Sequence, residues 1–427
     1  MISAQPTTPR DSTPIAIVGG GVIGVCCAYS LARRGAPVIV VERDEIGRAA
    51  SFGNAGTVSP GHPPINGPGR WRELIRSMID PLSPLYIPPR LAPGLARWLW
   101  AFSRRCSPAH LEYCRRVSEP FARISPSLHD EIGADAPVNL GYATDGYFQI
   151  YRTPAGQAVA AHEAEYEQQQ GFAPRFVEAG PLRDSEPALT DSVLGGYHHT
   201  EGRTMDPFRF VEHVADLARG HGALFRTGVE VSEVITRQQR VVGVRTESGE
   251  EIEASCVILA TGAYSPALYQ KLGCPLPVQA AKGYHVDLGG SAGETPAINH
   301  PYLLIERAVF CTPLPGRLRL AGTLEFSGIN DDIRRPRLEQ LTRSTRQYLR
   351  GIDTPAVSSE WCGLRPCTPD GLPVIGPLPG WQGIFAATGH AMLGLTFGPA
   401  TGEALAELIL TGRSELPLSG FDPARFR

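Results

Sequence analysis

An α/β fold with a Rossmann-type nucleotide-binding domain is predicted by three observations. Ile15–Val18 reads as a buried strand that leads through a glycine turn into an apolar helix from about Val22 to Arg34; Gly35 stops the helix, and Val38–Glu42 is a second buried strand, completing a βαβ unit. Short strand runs recur near 224–226, 229–236, 241–246 and 256–260, and a second strand-rich stretch covers about 278–323. Near the end, a glycine-rich motif precedes a last helix over about Gly398–Leu410, so one domain is built from segments far apart in sequence.

The other elements follow the apolar spacing. Residues 60–94 are rich in Pro and Gly and are expected on the surface. Helical patterns cover about 95–106 and 110–132, Tyr147–Tyr151 is a strand, and a helix spans 155–170. Pro207 opens a helix to about Arg219 with Asp206 as N-cap, and Arg334–Arg350 reads as a helix.

Bulk properties narrow the function. The chain has 427 residues, more than one compact core accommodates, with 42% hydrophobic and 19% charged residues. A net charge of −3 without a long basic block excludes a nucleic-acid partner. The nine cysteines form no CxxC pair; Cys26 and Cys27 fall in the buried helix, and Cys362 and Cys367 lack histidines at ligand spacing. Neither a disulfide framework nor a metal site is expected, and a reducing cytoplasm fits. Met1–Pro14 lacks the apolar core of a signal peptide, no run reaches membrane-spanning length, and the first dozen residues are expected to be a disordered tail.

Gly19, Gly21 and Gly24 form GxGxxG between strand and helix. Gly19 permits the turn, Gly21 lets the backbone approach a pyrophosphate, and Gly24 lets helix and strand pack closely. The anion then rests on the helix N-terminus at Val22 and Ile23, where free amides and the helix dipole favour it. Glu42, followed by Arg43, ends the second strand where a carboxylate accepts from the adenosine ribose and repels a 2′-phosphate, which disfavours NADP. This motif alone does not separate NAD from FAD.

Three further segments favour FAD. Ser51–Pro60, with Ser51, Asn54, Ala55 and Gly56, is small and backbone-exposing, suited to wrap a pyrophosphate or pass a flat ring. Cys256–Gly262 ends a buried strand in Ala260, Thr261 and Gly262, returning the chain toward the nucleotide. Trp361–Pro366 and Thr368–Gly376 precede Ala387–Thr396, whose glycines let amides reach the acceptor edge of an isoalloxazine ring; the helix that follows favours negative charge there.

These motifs, with Lys282-Gly-Tyr284 and Gly322-Thr-Leu-Glu325, are spread from residue 15 to about 410. The chain resembles the D-amino-acid oxidase superfamily of FAD oxidoreductases, and within it the small-subunit family of bacterial D-amino-acid dehydrogenases. The resemblance implies an FAD-binding domain from 12–70, 203–275 and 355–427, and a mixed-sheet α+β substrate domain from 71–202 and 276–354. It places Val229 by the adenine, and Gly389, His390, Met392, Leu393, Gly394, Leu395 and Thr396 along the flavin's pyrimidine side. Relatives with covalent flavin carry a cysteine where this chain has Gly363, so FAD is expected to be non-covalent. A carboxylate-binding tyrosine of the oxidases is matched here by Phe310.

By the same resemblance Arg365 pairs with an amino-acid carboxylate, for which a planar guanidinium fork is suited. Tyr284 and His285 are candidates to line the pocket, His390 shapes the loop beside the flavin, and His62 is expected to be a surface residue. The implied reaction is hydride transfer from the Cα of a D-amino acid to flavin N5, the imine hydrolysing to a 2-oxo acid and ammonia, with electrons passed to a quinone-type acceptor. Oxidation of a secondary amine such as D-hydroxyproline or sarcosine, or of glycine, is the alternative; a flavin-bearing subunit that needs a partner is another. Leu95–Arg105 interleaves Trp98, Trp100 and Phe102 with arginines. Such a helix suits core packing with a basic rim, the reading preferred here, and also peripheral contact with the inner face of the plasma membrane.

Overall fold

The computed structural model describes residues 13–69, 77–78, 80–90, 92–289, 298–352 and 356–427. The expected N-terminal tail and the segment boundaries at 12, 70–71 and 354–355 lie outside the described residues. The fold is mixed α/β, organised around two large sheets.

The first sheet has six strands in the order Val374–Pro377, Ile384–Thr388, Cys256–Leu259, Ile15–Val18, Val38–Val41 and Leu224–Arg226. All neighbours are parallel except the first two. Ile15, Ile17, Val38 and Val40 point into one apolar cluster, and Ala16, Val18, Ile39 and Val41 into another. Both faces of the parallel strands are therefore covered, which is why those strands read as unbroken apolar runs. Helices Val22–Ala32, Pro207–Gly220 and Gly394–Thr411 contribute to the first cluster. The small sheet Val231–Arg237, Arg240–Thr246, Glu251–Glu253 and the helix Ser265–Lys271 contribute to the second. A Cβ at Gly24 would lie 1.9 Å from the Gly19 carbonyl oxygen, so the first helix can approach its strand only with glycine there.

The second sheet runs Val357–Cys367, Gln279–Gly289, Arg317–Glu325, Val309–Leu314, Tyr302–Leu304, Tyr147–Tyr151, Gly195–His199 and Arg175–Glu178, with Leu85–Tyr86 paired to Arg317–Glu325. It is mixed: Tyr302–Leu304 is parallel to Tyr147–Tyr151 and most other pairs are antiparallel. The Trp361–Pro366 motif lies on its edge strand, where Pro366 is tolerated because one side of the strand needs no partner.

The last helix begins at Gly394, one turn before the expected start, and carries Pro399 inside it. A proline there leaves the Leu395 carbonyl without its helical donor. His129 Nε2 sits 3.1 Å from that oxygen and Ser125 Oγ donates to the Thr396 carbonyl at 2.7 Å, both from helix Pro108–Gly133. The helix expected to reach Arg350 ends at Thr345, beyond which the chain turns with Tyr348 and Leu349 amides donating to the Thr345 carbonyl. Asp206 caps Pro207–Gly220 as expected, accepting from the Phe208 and Arg209 amides. Pro93–Ser103 buries Leu95, Trp98 and Phe102 and turns Trp100 outward.

A buried ionic network ties the two sheets together. Asp287 receives Arg319 through Nε at 2.8 Å and Nη2 at 2.9 Å, and Arg317 Nε at 3.0 Å; Arg317 also reaches Asp206. Arg319 Nη1 donates to the Phe52 and Asn54 carbonyls of the loop after the second strand. Burial pushes the Asp287 pKa up, but the hydrogen bonds and charge of Arg319, with His285 and Arg317, outweigh burial and leave it below the ordinary carboxylate value. Asp287→Asn should therefore cost about 3–5 kcal/mol by stranding Arg319, which is 1% exposed. Because the folded pKa is depressed, the stabilisation is present above the unfolded value and lost as pH falls through the folded one. Denaturant unfolding should show the parent losing this stability in acid and Asp287→Asn lacking that component; equal stability of the two at neutral pH would contradict it.

Candidate active site

One chamber of about 1750 Å³ lies between the carboxyl ends of the parallel strands and the inner face of the second sheet. Its volume exceeds that of a single drug-sized pocket, about 300–1,000 Å³. Gly19, Gly21, Val22, Ile23, Glu42, Arg43, Ser51, Asn54, Ala55, Val229, Ala260, Thr261 and Gly262 line it. So do Gly363, Arg365, His390, Met392, Leu393, Gly394, Leu395 and Thr396. The three remaining glycines lie behind the wall: Gly24 against Gly19, Gly56 against the Met205 carbonyl, and Gly389 against Thr368. His62 and Phe310 also reach the chamber.

Tyr284 and His285, expected on the pocket wall, are not on it. Both side chains are packed away, 1% and 0% exposed. The Tyr284 hydroxyl donates to Glu325 Oε2 at 3.0 Å within the core. His285 stacks on Trp361 at 5.2 Å and 15°, and burial pushes its pKa down to about 4. Trp361 is the one of that pair exposed to the chamber.

At the strand ends the backbone is prepared for an anion. Ser51 Oγ accepts from the Val22 amide at 3.0 Å, and the helix start has no side-chain cap of its own. Glu42 accepts from the Gly20 amide at 2.6 Å and the Asp44 amide at 3.0 Å, which fixes the carboxylate and leaves further lone pairs for a ligand. The Arg43 guanidinium stacks 3.8 Å above the Tyr264 ring centroid. The Gly394–Thr411 helix likewise starts without a side-chain cap, so its first-turn amides and dipole face the chamber. His390 is held 3.0 Å from Thr401 Oγ1, and burial pushes its pKa down to about 3, so it stays neutral.

Arg365 stands apart from every other arginine near the chamber. It has no hydrogen-bond or ion-pair partner among the described residues, and burial draws its pKa below the ordinary arginine value while leaving it charged. The guanidinium lies over Gly283, where a Cβ would come within 2.8 Å of Nη2. The sequence reading had no signal for this clearance, nor for Glu163 and Val159, which reach the chamber from helix Pro154–Gln168. Nothing local to that helix distinguishes these residues from an ordinary amphipathic surface.

Residues 14–408 match the family described as DAO, FAD dependent oxidoreductase. The chain belongs to this family. Proteins named D-amino acid dehydrogenase are its relatives in Methylobacterium nodulans, 33% identical over 94% of this chain and 96% of the relative. One in Cereibacter sphaeroides is 33% identical over 92% and 91%. Among solved structures it resembles glycine oxidase from Geobacillus kaustophilus, TM-score 0.75 at 21% identity over 97% of this chain and 98% of that one. It also resembles L-proline dehydrogenase from P. horikoshii, TM-score 0.76 at 19% identity over 97% and 98%. The protein is thus an FAD-dependent oxidoreductase. Its own residues fit the cofactor: a backbone open at Gly21, two helix starts without side-chain caps, and a fixed carboxylate at Glu42.

Trp361 fills the space above two glycines. A Cβ on Gly53 would lie 2.0 Å, and one on Gly363 2.1 Å, from the indole ring. Gly363→Ala should force the ring from its place and destabilise the protein by about 1–3 kcal/mol, read as a lowered thermal midpoint. An unchanged midpoint would show that the indole yields without strain.

Proposed function

We propose that the protein oxidises a D-amino acid to a 2-oxo acid and ammonia and passes the electrons to a quinone-type acceptor. The observation that carries this reading is Arg365, a half-buried guanidinium facing the chamber with no anion among the described residues. A cation held against the protein without a counter-charge favours an anionic ligand, and a carboxylate matches the guanidinium fork with two parallel hydrogen bonds. The activity named for the relatives supports an amino acid as the source of that carboxylate.

Bound FAD supplies the two-electron acceptor for the Cα–H bond. Arg365 fixes the substrate by its carboxylate and so fixes the position of Cα; orientation is the main contribution required of the protein. Gly283 keeps the guanidinium's place clear, and Trp361, Phe310 and Leu303 wall the chamber with apolar surface that excludes water. The substrate reacts as the neutral amine, loses its Cα hydrogen with the bonding pair, and leaves as the iminium, which water converts to 2-oxo acid and ammonium. The neutral His390 and the buried His285 are not asked to carry protons in this scheme.

In this reading Glu42 holds the adenosine ribose, Val229 meets the adenine, and residues 389–396 border the flavin ring. FAD is held without a covalent bond, since Gly363 offers no side chain and a Cβ there would meet Trp361. Residues 12–70, 203–275 and 355–427 form the FAD domain, and 71–202 with 276–354 the substrate domain; Val357–Cys367 is the piece of the first that hydrogen-bonds into the sheet of the second. The acceptor approaches at a membrane surface: Trp98 and Phe102 line the chamber from within, while Trp100 is 62% exposed on the same helix with Arg104 over its ring. Among the described residues no helix is long and apolar enough to cross a membrane.

Glu42→Gln should weaken FAD binding by about 1.5–3 kcal/mol, the loss of one charge-assisted hydrogen bond, with the fold intact. Titration of apoprotein with FAD measures it, and parental affinity would remove Glu42 from the ribose site. Arg365→Ala should keep its flavin and lose about 2–5 kcal/mol of substrate binding. Arg365→Lys should recover only part, because an ammonium lacks the planar fork. The measurement is anaerobic bleaching of the flavin against D- and L-amino acid concentration; parental half-saturation in Arg365→Ala would refute the carboxylate assignment.

A further inference from the structure

We infer that Glu163 selects the substrate's side chain, and that the chamber takes amino acids carrying a hydrogen-bond donor, cationic ones first, at the end remote from the carboxylate. This rests on the reading of Arg365 given above.

The register of the second sheet builds a floor that runs from Trp361, four residues before Arg365 on the same strand, toward Glu163. Trp361, His285, Ala321, Phe310, Leu303 and Gln149 are successive cross-strand partners. Of these, Trp361, Ala321, Phe310 and Leu303 face the chamber. Gln149, at the far end, is fully buried and donates from Nε2 to Glu163 Oε2 at 3.0 Å. On the same face the Tyr147 ring lies 5.8 Å from the Phe310 ring, reaching across the strand Tyr302–Leu304.

Along the floor from Ala321 to Leu303 there is no polar side chain to engage a substrate. Glu163 ends it with a carboxylate, which only accepts. No cation pairs with Glu163 among the described residues, and Gln149 occupies one of its oxygens while fixing its direction. Glu306, also on the wall, is spoken for: Tyr348 Oη and the Arg152 and Thr153 amides donate to it. Once a substrate carboxylate neutralises Arg365, the charge of Glu163, which no cation pairs among the described residues, favours a second positive charge on the ligand. An apolar stem that lies on Phe310 and Leu303 and ends in an ammonium or guanidinium satisfies both floor and carboxylate. A hydroxyl satisfies the hydrogen bond without the charge, whereas an apolar end covers Glu163 and leaves it without its water.

The test uses the flavin-loaded protein and anaerobic flavin reduction with D-lysine and D-arginine, 4-hydroxy-D-proline, their apolar counterparts D-norleucine and D-proline, and D-glutamate. D-lysine should exceed D-norleucine in kcat/KM by at least about tenfold, the equivalent of one charge-assisted hydrogen bond partly screened by solvent. Hydroxyproline should exceed proline by less, and D-glutamate should be the poorest. In Glu163→Gln the lysine-to-norleucine ratio should fall toward one, and Glu163→Lys should move the preference toward D-glutamate. The parental panel needs no variant: D-norleucine equal to or better than D-lysine overturns the inference, as does an unchanged ratio in Glu163→Gln that retains its flavin spectrum. Reduction by apolar D-amino acids alone leaves the dehydrogenase reading standing and removes only the role of Glu163. A flavin that no D-amino acid reduces overturns both.

Discussion

A guanidinium that faces no anion among the described residues is the constraint around which the chamber is arranged. Desolvating a cation without a partner is unfavourable, so Arg365 must be held in place by covalent and backbone geometry rather than by attraction. The edge strand does this. Residues 359–367 are in register with Gln279–Asp287 through nine consecutive pairings, and a register shift precedes one more at Val357. Gly283 then leaves an open patch in the neighbouring strand, and the guanidinium lies over it. The strain of an unpaired charge is thereby carried by a long hydrogen-bonded ladder and relieved only by what enters the chamber.

The same economy of contact holds the two sheets in relation to each other. Asp287 sits on the strand that pairs with the Arg365 strand, and its arginine partners reach both the helix cap at Asp206 and the Phe52 and Asn54 carbonyls. A single carboxylate therefore fixes the loop after the second parallel strand against the floor of the second sheet. Trp361, wedged between Gly53 of that loop and Gly363 of the edge strand, fills the seam with apolar surface. Loop, floor and guanidinium are positioned by one set of contacts.

Sequence reasoning reached the parts of this arrangement that are set locally. The first βαβ unit was legible because each glycine answers a backbone requirement within ten residues, and Tyr147–Tyr151 because its apolar run is short and bounded. The start of the last helix was not, since Pro399 reads as a first-turn proline; the donors that let the helix begin earlier are His129 and Ser125, more than 260 residues away. Tyr284 and His285 were misplaced because Gln279–Gly289 is buried on both faces along nearly its whole length, so alternation does not say which residues meet the chamber. The contact of Gly283, a residue within the Lys282-Gly-Tyr284 motif, and the place of Glu163 were invisible for the same reason as His129: what they touch, Arg365 and Gln149, is fixed only by tertiary register. The chamber-lining positions that the motifs did identify are those where the chain itself turns toward the ligand.

The edge position of Val357–Cys367 has a consequence for biosynthesis. That strand closes one sheet and the pair Val374–Pro377 and Ile384–Thr388 closes the other, so both sheets wait for the final sixth of the chain. Until it emerges from the ribosome, Gln279–Gly289 and Cys256–Leu259 present unpaired backbone edges, the template for association with other strands. The nascent chain is thus committed late, and the residue that makes the chamber useful arrives on the strand that first makes the protein safe.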